Sequence, residues 1–320
     1  LAFLGQNMKI DVAIQSYKKP ELLLYTLLSL YKHSSEHIDT IYINDDSGED
    51  SERIVKIYQS EQFLQLFRDW KIKVRKNIRR TGWWQALVKD QMPKYISPFY
   101  FIYRASICLL KTGHIFTNRH DIRYQWAFDF TNKKYVYVLH DDVIFNKDIV
   151  GLYIYEAEKM KNPGIIGDLG QCWRCPHSNG NSACSPEKIM NGYRPSRNWP
   201  KTSNAYNGSR RACRINEWSA LIAVEAIKYI EQKEHVFFGN YDDFGDVGAY
   251  WFDMCIKNNF DFLDPLPTIE QRRSYYTHGW RGVSGHSIWV NQGSGKNEYN
   301  RNEIINAIYN DFGINFNNLV

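Results

Sequence analysis

The first part of the chain alternates short apolar runs with longer segments of helical spacing. Residues 10–17 (IDVAIQSY) are an apolar run rich in β-forming side chains, which predicts a strand. A leucine-rich stretch follows Pro20 and predicts a helix, because proline suits the first helical turn. Residues 40–44 and 71–75 predict two more strands, with a helix running from the acidic cluster 45–50 towards Trp70. Strands that alternate with helices indicate a parallel sheet with crossover connections.

The rest of the chain contains fewer clear elements. The apolar run 135–139 (YVYVL) predicts a strand that leads directly into His140, Asp141 and Asp142. Residues 82–132 carry no pattern that assigns their fold. The other predicted elements are a helix over 147–161, a strand over 164–169, helices over about 220–232 and about 246–258, a strand near 260–263 and a helix over about 300–310.

Residues 171–214 read as a polar, loop-like insertion, rich in Asn, Ser, Gly, Pro, Arg and Cys. An irregular segment of that length in a compact protein is usually functional or held by a cross-link or a metal. It holds four of the six cysteines, namely Cys172, Cys175, Cys184 and Cys213. These suit a structural Zn²⁺ site, while disulfides and reduced thiols stay open, because the spacing is not that of a standard zinc finger. Cys108 and Cys255 lie in apolar stretches and are expected in the core.

Length and charge restrict the classes of partner. At 320 residues the chain is long enough for one large α/β domain or two small ones. Its net charge of +5 is scattered, which suits an anionic small substrate or membrane surface and disfavours a nucleic-acid partner. No run approaches the roughly 20 apolar residues of a membrane-spanning helix. We therefore expect no transmembrane segment, a cytoplasmic location and at most peripheral membrane contact.

Polar residues follow three of the predicted strands, where the strands end. They are Ser16 with Tyr17, Asp45 with Asp46, and Asp141 with Asp142. In open parallel sheets ligands bind outside the carboxyl ends of the strands. Carboxylates that share one rim repel each other unless a cation lies among them, and Mg²⁺ or Mn²⁺ uses carboxylates and substrate phosphates as ligands. Such a metal neutralises a departing nucleoside diphosphate, which predicts transfer from a nucleotide-activated donor.

Three segments carry a resemblance to a known family: IDVAIQSYKKPELL, then TIYINDDSGED, then YVYVLHDDVIF. In order and spacing they resemble the nucleotide-binding half of GT-A fold glycosyltransferases, most closely the inverting family 2 type. The resemblance implies a Rossmann-like, mostly parallel α/β sheet flanked by helices, with a cysteine-containing insertion. It implies one catalytic domain over 1–320, with a nucleotide-sugar half over about 8–170, an acceptor half over about 171–290 and a tail over about 291–320.

The resemblance also implies roles for the donor-side residues. Ser16 and Tyr17 would lie near the base and ribose, and Asp45 or Asp46 would hydrogen-bond the nucleoside. Asp141 would lie near the ribose. Asp142 would hold the Mn²⁺ or Mg²⁺ ion. His140 stands where the family usually has the first acid of the motif, and it would either bind the metal or hydrogen-bond the ribose.

On the acceptor side the resemblance implies a general base in the acidic segment before a helix. Asp246 is the first choice, with Asp243 and Asp242 behind it. Glu217 and Trp218 would lie beside the acceptor, where Trp218 would stack on a sugar ring. A histidine near the end of the chain would return as a metal ligand, with His278 as the candidate and His286 as its rival.

The combined prediction is a metal-dependent glycosyltransferase. It would move a sugar from a nucleotide-sugar to a hydroxyl of a carbohydrate or glycoconjugate, with inversion, as in polysaccharide biosynthesis. Two alternatives stay open. One is a sugar nucleotidyltransferase, although the turn 16–20 lacks the glycine-rich loop expected there. The other is an inactive, zinc-stapled glycan-binding module.

Overall fold

The computed structural model describes residues 8–79, 87–88, 98–169, 214–240, 247–280, 288, 290 and 299–319. Within them, seven strands form one sheet in the order β3-β2-β1-β4-β7-β6-β8. Strand β7 is antiparallel to both of its neighbours, and the other six strands share one direction. The strands are β1 Ile10–Ser16, β2 Ile38–Asp45, β3 Lys71–Lys76, β4 Tyr135–His140, β6 Pro163–Leu169, β7 Ile215–Ala223 and β8 Asp261–Leu263.

A separate antiparallel pair lies outside this sheet. It joins β5 (Val143–Phe145) to β9 (Tyr276–His278), and Val143 lies opposite His278. Because β5 begins directly after Asp142, this pairing brings the late segment 276–278 back to the turn that follows β4.

Ten α-helices occur in the described part of the chain. They are α1 Pro20–Ser34, α2 Ser51–Gln59, α3 Glu61–Leu66, α4 Pro98–Thr112, α5 Gln125–Phe130, α6 Ile149–Ala157, α7 Val224–Glu234, α8 Ala249–Lys257, α9 Ile269–Tyr275 and α10 Arg301–Phe312. Helix α1 begins at Pro20, as the sequence predicts, and its leucines are buried in the main core. None of these helices combines the length and apolar character needed to cross a membrane.

The burial of each strand follows its place in the sheet. Residues 135–139 of β4 are all buried, as expected for a central strand covered on both faces. Strand β3 lies at an edge and exposes Lys71, Lys73 and Lys76, and such lysines discourage pairing with another chain. The strand order thus places the ends of β1 and β4 in the middle of the sheet.

The predicted α/β class with a mostly parallel sheet is confirmed, and several boundaries are corrected. Residues 220–223 belong to strand β7, so the helix predicted from there begins at Val224. The helix predicted to run towards Trp70 divides at Ser60, whose backbone is extended and whose Oγ caps α3. The stretch around residue 100 that carried no assignment forms α4.

Cys108 and Cys255 are buried, as predicted. The insertion lies outside the described residues, apart from Arg214.

Candidate functional site

The ends of strands β1 and β4 bring two polar turns together. The strands are parallel neighbours, with Gln15 opposite His140 in the register. The residues that follow therefore meet at one edge of the sheet, where the backbone N–H of Tyr17 donates to Oδ2 of Asp141 at 3.0 Å. Asp141 is buried, so this bond ties the turn after β1 to the turn after β4.

Lys19 is the counter-ion of both aspartates in this turn. Its Nζ lies 2.7 Å from Oδ1 of Asp141 and 2.8 Å from Oδ2 of Asp142, and all three side chains are buried. Burial alone would lower the pKa of Lys19, but the two carboxylates raise it above its ordinary value. The ammonium therefore stays charged, and this internal cation allows two carboxylates to be buried side by side.

The two carboxylate oxygens of Asp142 have different surroundings. Oδ2 accepts from Nζ of Lys19 and from the backbone N–H of Ile288, each at 2.8 Å. Oδ1 is buried and accepts no hydrogen bond of normal geometry from any described residue. Its neighbours are Nε2 of His278 at 3.3 Å and Nδ1 of His140 at 3.9 Å. Burial would raise the pKa of Asp142, but Lys19 and His278 hold it well below its ordinary value, so the carboxylate is ionised.

The β5–β9 pair holds His278 beside this oxygen. The backbone N–H of Gly279 donates to the carbonyl oxygen of Asp142 at 2.8 Å, which fixes the end of β9 against the acidic turn. The imidazole also packs against the indole of Trp218, with ring centroids 4.7 Å apart. Burial lowers the pKa of His278 below its ordinary value, which favours the neutral imidazole that a metal requires.

The donor set of His140, Asp142 and His278 fits one divalent ion. One donor atom from each lies within 4.8 Å of the others. Ligands that each lie about 2.1 Å from one ion are about 3.0–3.4 Å apart in octahedral or tetrahedral geometry. The 3.3 Å between His278 and Asp142 falls in that range, and the 3.9 Å between His140 and Asp142 needs a small inward movement. The Asp142 donor in this set is Oδ1, the buried oxygen that accepts no hydrogen bond from any described residue.

A second histidine–carboxylate group at the surface has a simpler explanation. It contains Glu36, His37 and Asp148. Oδ1 of Asp148 accepts from Ser34 Oγ and from the backbone N–H at position 151, so Asp148 caps α6. Its Oδ2 contacts Nε2 of His37 at 3.0 Å. Both oxygens have partners, which makes this cluster a helix cap.

Asp45 closes the loop between β2 and α2. Its Oδ1 accepts from the backbone N–H of Ser47 at 3.1 Å and from Ser51 Oγ, and its Oδ2 accepts from Ser47 Oγ at 2.9 Å. Asp46 accepts at Oδ1 from Nδ2 of Asn77 at 2.9 Å. Both residues lie at the predicted rim, and the contact with a nucleoside stays a prediction.

Ser16 lies at the same edge, at the end of β1. Its Oγ is 3.0 Å from the hydroxyl of Tyr58, and Ser16 is fully buried. Tyr17 takes part through its backbone N–H, which bonds Asp141. Their predicted place beside the base and ribose is not tested by these contacts and stays a prediction.

Glu217 and Trp218 lie on β7, next to β4. Oε2 of Glu217 accepts from Arg214 at 3.0 Å (Nη2) and 3.3 Å (Nε), while Oε1 lies 3.6 Å from Nε2 of His140. Burial alone would raise the pKa of Glu217, but Arg214 and then His140 lower it far below its ordinary value. Trp218 is 7% exposed and covers His278. The predicted acceptor contacts of both residues stay predictions.

The sequence matches no protein-family description and no curated protein. Three similar solved structures are glycosyltransferases. The mannosyltransferase PcManGT from Pyrobaculum calidifontis, in complex with GDP-Man and Mn²⁺, is 11% identical, with 80% of this chain and 54% of that chain covered and a TM-score of 0.45. The glycosyltransferase GlyE from Streptococcus pneumoniae is 14% identical, with 80% and 45% covered and a TM-score of 0.33. Core-mannan synthase A from Aspergillus fumigatus, in an Mn/GDP form, is 12% identical, with 87% and 76% covered and a TM-score of 0.41.

These values describe a distant likeness of fold. The chain spans about half the length of the first two structures. The likeness therefore leaves activity to be argued from this chain's own residues.

Several predicted residues lie outside the described part of the chain. They are the base candidates Asp242, Asp243 and Asp246, the cysteines Cys172, Cys175, Cys184 and Cys213, and His286. Their roles stay predictions.

Sequence reasoning missed two charged residues of this site. Lys19 supplies the cation that the acidic rim requires, although a metal alone was expected in that role. The sequence offered one indication of this role, because Lys19 follows the predicted strand β1, just as the aspartates follow theirs. Arg214 ends a segment rich in arginine, and nothing in the sequence distinguishes it from its neighbours.

Proposed function

We propose that this chain is a metal-dependent GT-A glycosyltransferase that transfers a sugar from a nucleotide-sugar to a hydroxyl acceptor, a carbohydrate or glycoconjugate, with inversion. One observation carries the proposal. Oδ1 of Asp142, buried and without a hydrogen bond from the described part of the chain, faces the imidazoles of His140 and His278 at the carboxyl edge of a mostly parallel sheet. Ligands of such sheets bind at that edge.

The segments that carry the family resemblance support the same assignment. Those around Tyr17, Asp45 and Asp141 end at this one edge, on the adjacent strands β1, β2 and β4. A donor diphosphate would approach His140, Asp142 and His278, which would hold the metal. When bound, the ion would neutralise the negative charge that develops on the departing nucleoside diphosphate.

Other residues of the chain would position the donor and deprotonate the acceptor. Lys19 and the Tyr17 N–H hold Asp141 in place, so the turn that presents Asp142 is fixed by two contacts that need no donor. Asp45 orders the loop that follows β2, on the side where the nucleoside would lie. An acidic residue of the segment 242–246, with Asp246 first, would accept the proton of the attacking hydroxyl.

Mn²⁺ suits this donor set better than Mg²⁺. Imidazole nitrogens favour transition metals, whereas Mg²⁺ prefers oxygen ligands. Two imidazoles contribute to the set of three donors, which supports Mn²⁺ as the working ion.

A thermal-shift screen of nucleotide-sugars, with and without Mn²⁺, tests the proposal. A ligand that binds the native state raises the melting temperature, so one donor class should stabilise the protein only when Mn²⁺ is present. The selected donor should then be hydrolysed slowly or transferred to added glycans. If no nucleotide-sugar stabilises the protein with Mn²⁺ and no sugar is released, the proposal is wrong. Release of pyrophosphate from a nucleoside triphosphate would favour a nucleotidyltransferase instead.

A further inference from the structure

The imidazole of His140 lies between two carboxylates, and each ring nitrogen faces a different one. Nδ1 is 3.9 Å from Oδ1 of Asp142, on the side of the candidate metal site. Nε2 is 3.6 Å from Oε1 of Glu217. His140 thus stands between the metal position and a residue of the neighbouring strand.

The sheet register holds Glu217 in that place. Strands β4 and β7 are antiparallel, with Leu139 opposite Ser219. Continued by one residue, this register places Trp218 opposite His140, and Glu217 is the next residue along β7. The backbone therefore brings Glu217 to the end of β4, where His140 stands.

Arg214 fixes the carboxylate of Glu217 from its far side. Its guanidinium donates to Oε2 through Nη2 and Nε, and Arg214 is only 2% exposed. A buried arginine with two bonds to one oxygen keeps that carboxylate charged and restricts its rotation. The other oxygen, Oε1, is left directed towards His140.

We propose that Glu217 is a positioning residue that accepts the Nε2–H of His140 and so leaves Nδ1 as the lone-pair donor for the metal. A neutral imidazole has one N–H and one acceptor nitrogen, and a carboxylate at one nitrogen selects the tautomer. Histidines that bind metals commonly donate their other N–H to a carboxylate, which orients the ring. This inference rests on the proposed metal site but assigns Glu217 a role other than acceptor binding.

The present distance is consistent with this role. At 3.6 Å the two atoms are about half an ångström beyond a normal hydrogen bond, so the bond requires the imidazole and the carboxylate to move closer by that amount. Such bonds are often long before the ligand binds and tighten afterwards. With 22% of its side chain accessible, His140 is less enclosed than His278, whose side chain is 5% accessible.

Metal affinity measured without nucleotide tests the inference. Titration of free Mn²⁺ by electron paramagnetic resonance on the full chain should show affinity roughly 10- to 100-fold weaker for Glu217→Gln than for the wild type. Glu217→Asp, which keeps the charge, should recover part of it. Circular dichroism and melting temperature establish that both variants are folded. If the wild type fails to bind Mn²⁺, the proposed function fails; if Glu217→Gln binds as tightly as the wild type, only the positioning role fails.

A second measurement separates orientation from simple charge. In metal-free protein with ¹⁵N-labelled histidine, the chemical shifts distinguish the two tautomers, and His140→Gln identifies the His140 signals among the nine histidines. The wild type should carry the proton on Nε2, and Glu217→Gln should populate both tautomers. An unchanged tautomer would overturn the inference, because it would show that the carboxylate of Glu217 does not decide which ring nitrogen carries the proton. A raised acceptor KM with unchanged Mn²⁺ affinity would also overturn it.

Discussion

The ammonium of Lys19 lies 2.8 Å from Oδ2 of Asp142, and both side chains are buried. The same nitrogen lies 2.7 Å from Asp141. A lysine of the protein thus neutralises one side of the acidic turn, which leaves Oδ1 of Asp142 for the two histidines. The metal would complete this cluster, whose charge the protein has already partly balanced.

Lys19→Met should destabilise the fold strongly. It leaves Asp141 and Asp142 buried together without their cation, and breaking a buried pair in this way costs about 3–5 kcal/mol of the free energy of unfolding. Urea unfolding at neutral pH measures the loss. Added Mn²⁺ should recover part of it, since the ion supplies positive charge to Asp142.

Lys18→Met is the matched control for this variant. Lys18 pairs with Asp50 at 3.0 Å, but both side chains are partly exposed, at 34% and 47%. A surface pair contributes at most about 1 kcal/mol, so this variant should unfold almost like the wild type. Equal losses in the two variants would show that Lys19 is not the counter-ion of a buried pair. Adding Asp141→Asn to Lys19→Met should restore some stability.

Asp142→Asn should remove the metal-dependent part of donor binding. It leaves an amide in place of the ionised oxygen that faces His140 and His278. We expect Mn²⁺ affinity to fall by at least roughly 100-fold, beyond the loss from a residue that only orients a ligand. Calorimetric titration with Mn²⁺ measures the change. Glu52→Gln, at an exposed carboxylate on α2, should behave as the wild type.

Mn²⁺ should bind more tightly than Mg²⁺ by at least roughly tenfold, because imidazole nitrogens favour transition metals. A competition titration measures this preference: Mg²⁺ is added to the Mn²⁺-bound protein, and the released Mn²⁺ is detected by electron paramagnetic resonance. His278→Asp replaces one imidazole by a carboxylate and should narrow the difference. If the wild-type protein binds Mg²⁺ more tightly than Mn²⁺, His140 and His278 are not both metal ligands.

Asp168 should make stability depend on pH. Burial raises its pKa to about 7, although Arg272 opposes the shift. The folded state then binds a proton that the unfolded state has lost, so this contribution to stability declines as pH rises from about 4 through about 7. Asp168→Asn should lack the decline, since Arg272 keeps Asp264 as a partner at 2.7 Å. Unfolding of both proteins at pH 5 and pH 8 measures it, and the variant should gain relative to the wild type at pH 8. A difference that does not change with pH would contradict the raised pKa.

Glu21→Gln should loosen the segment that leads into α10. Glu21 is 2% exposed and accepts from Nε of Arg301 at 2.6 Å and from the hydroxyl of Tyr299. Losing the charged acceptor should cost about 1–3 kcal/mol of the free energy of unfolding. Hydrogen exchange of residues 301–312 measures the local effect. If exchange there stays at the wild-type rate, Glu21 does not anchor this helix.

The sequence predicted most of the sheet because its signals are local. Residues 10–16 and 135–139 are rich in apolar and β-forming side chains, which favour a buried strand, and Pro20 suits the first turn of a helix. Local patterns do not locate the boundary between a strand and a helix when no turn residue separates the two. Residues 220–223 suit a strand as well as a helix, and pairing with β4 decides for the strand.

Some residues of the candidate site could likewise be found from the sequence, and others could not. An acidic turn after a predicted strand singles out Asp141 and Asp142 from the sequence, whereas His278 is a candidate only through the family resemblance, with His286 as its rival. Lys19 looks like any lysine in a turn, and Arg214 like any arginine in a polar segment. Nothing in the sequence states their partners, because those partners are set by strand order.

The sequence by itself determined which segments form strands and which polar residues end them, since side-chain periodicity and proline placement act over a few residues. Only the tertiary structure decided that one oxygen of Asp142 faces Lys19 and the other faces two histidines. Lys19 and Asp142 are 123 positions apart, and His278 returns through the β5–β9 pair. Contacts of that kind depend on the register of distant strands, and a local pattern carries no information about register between segments so far apart.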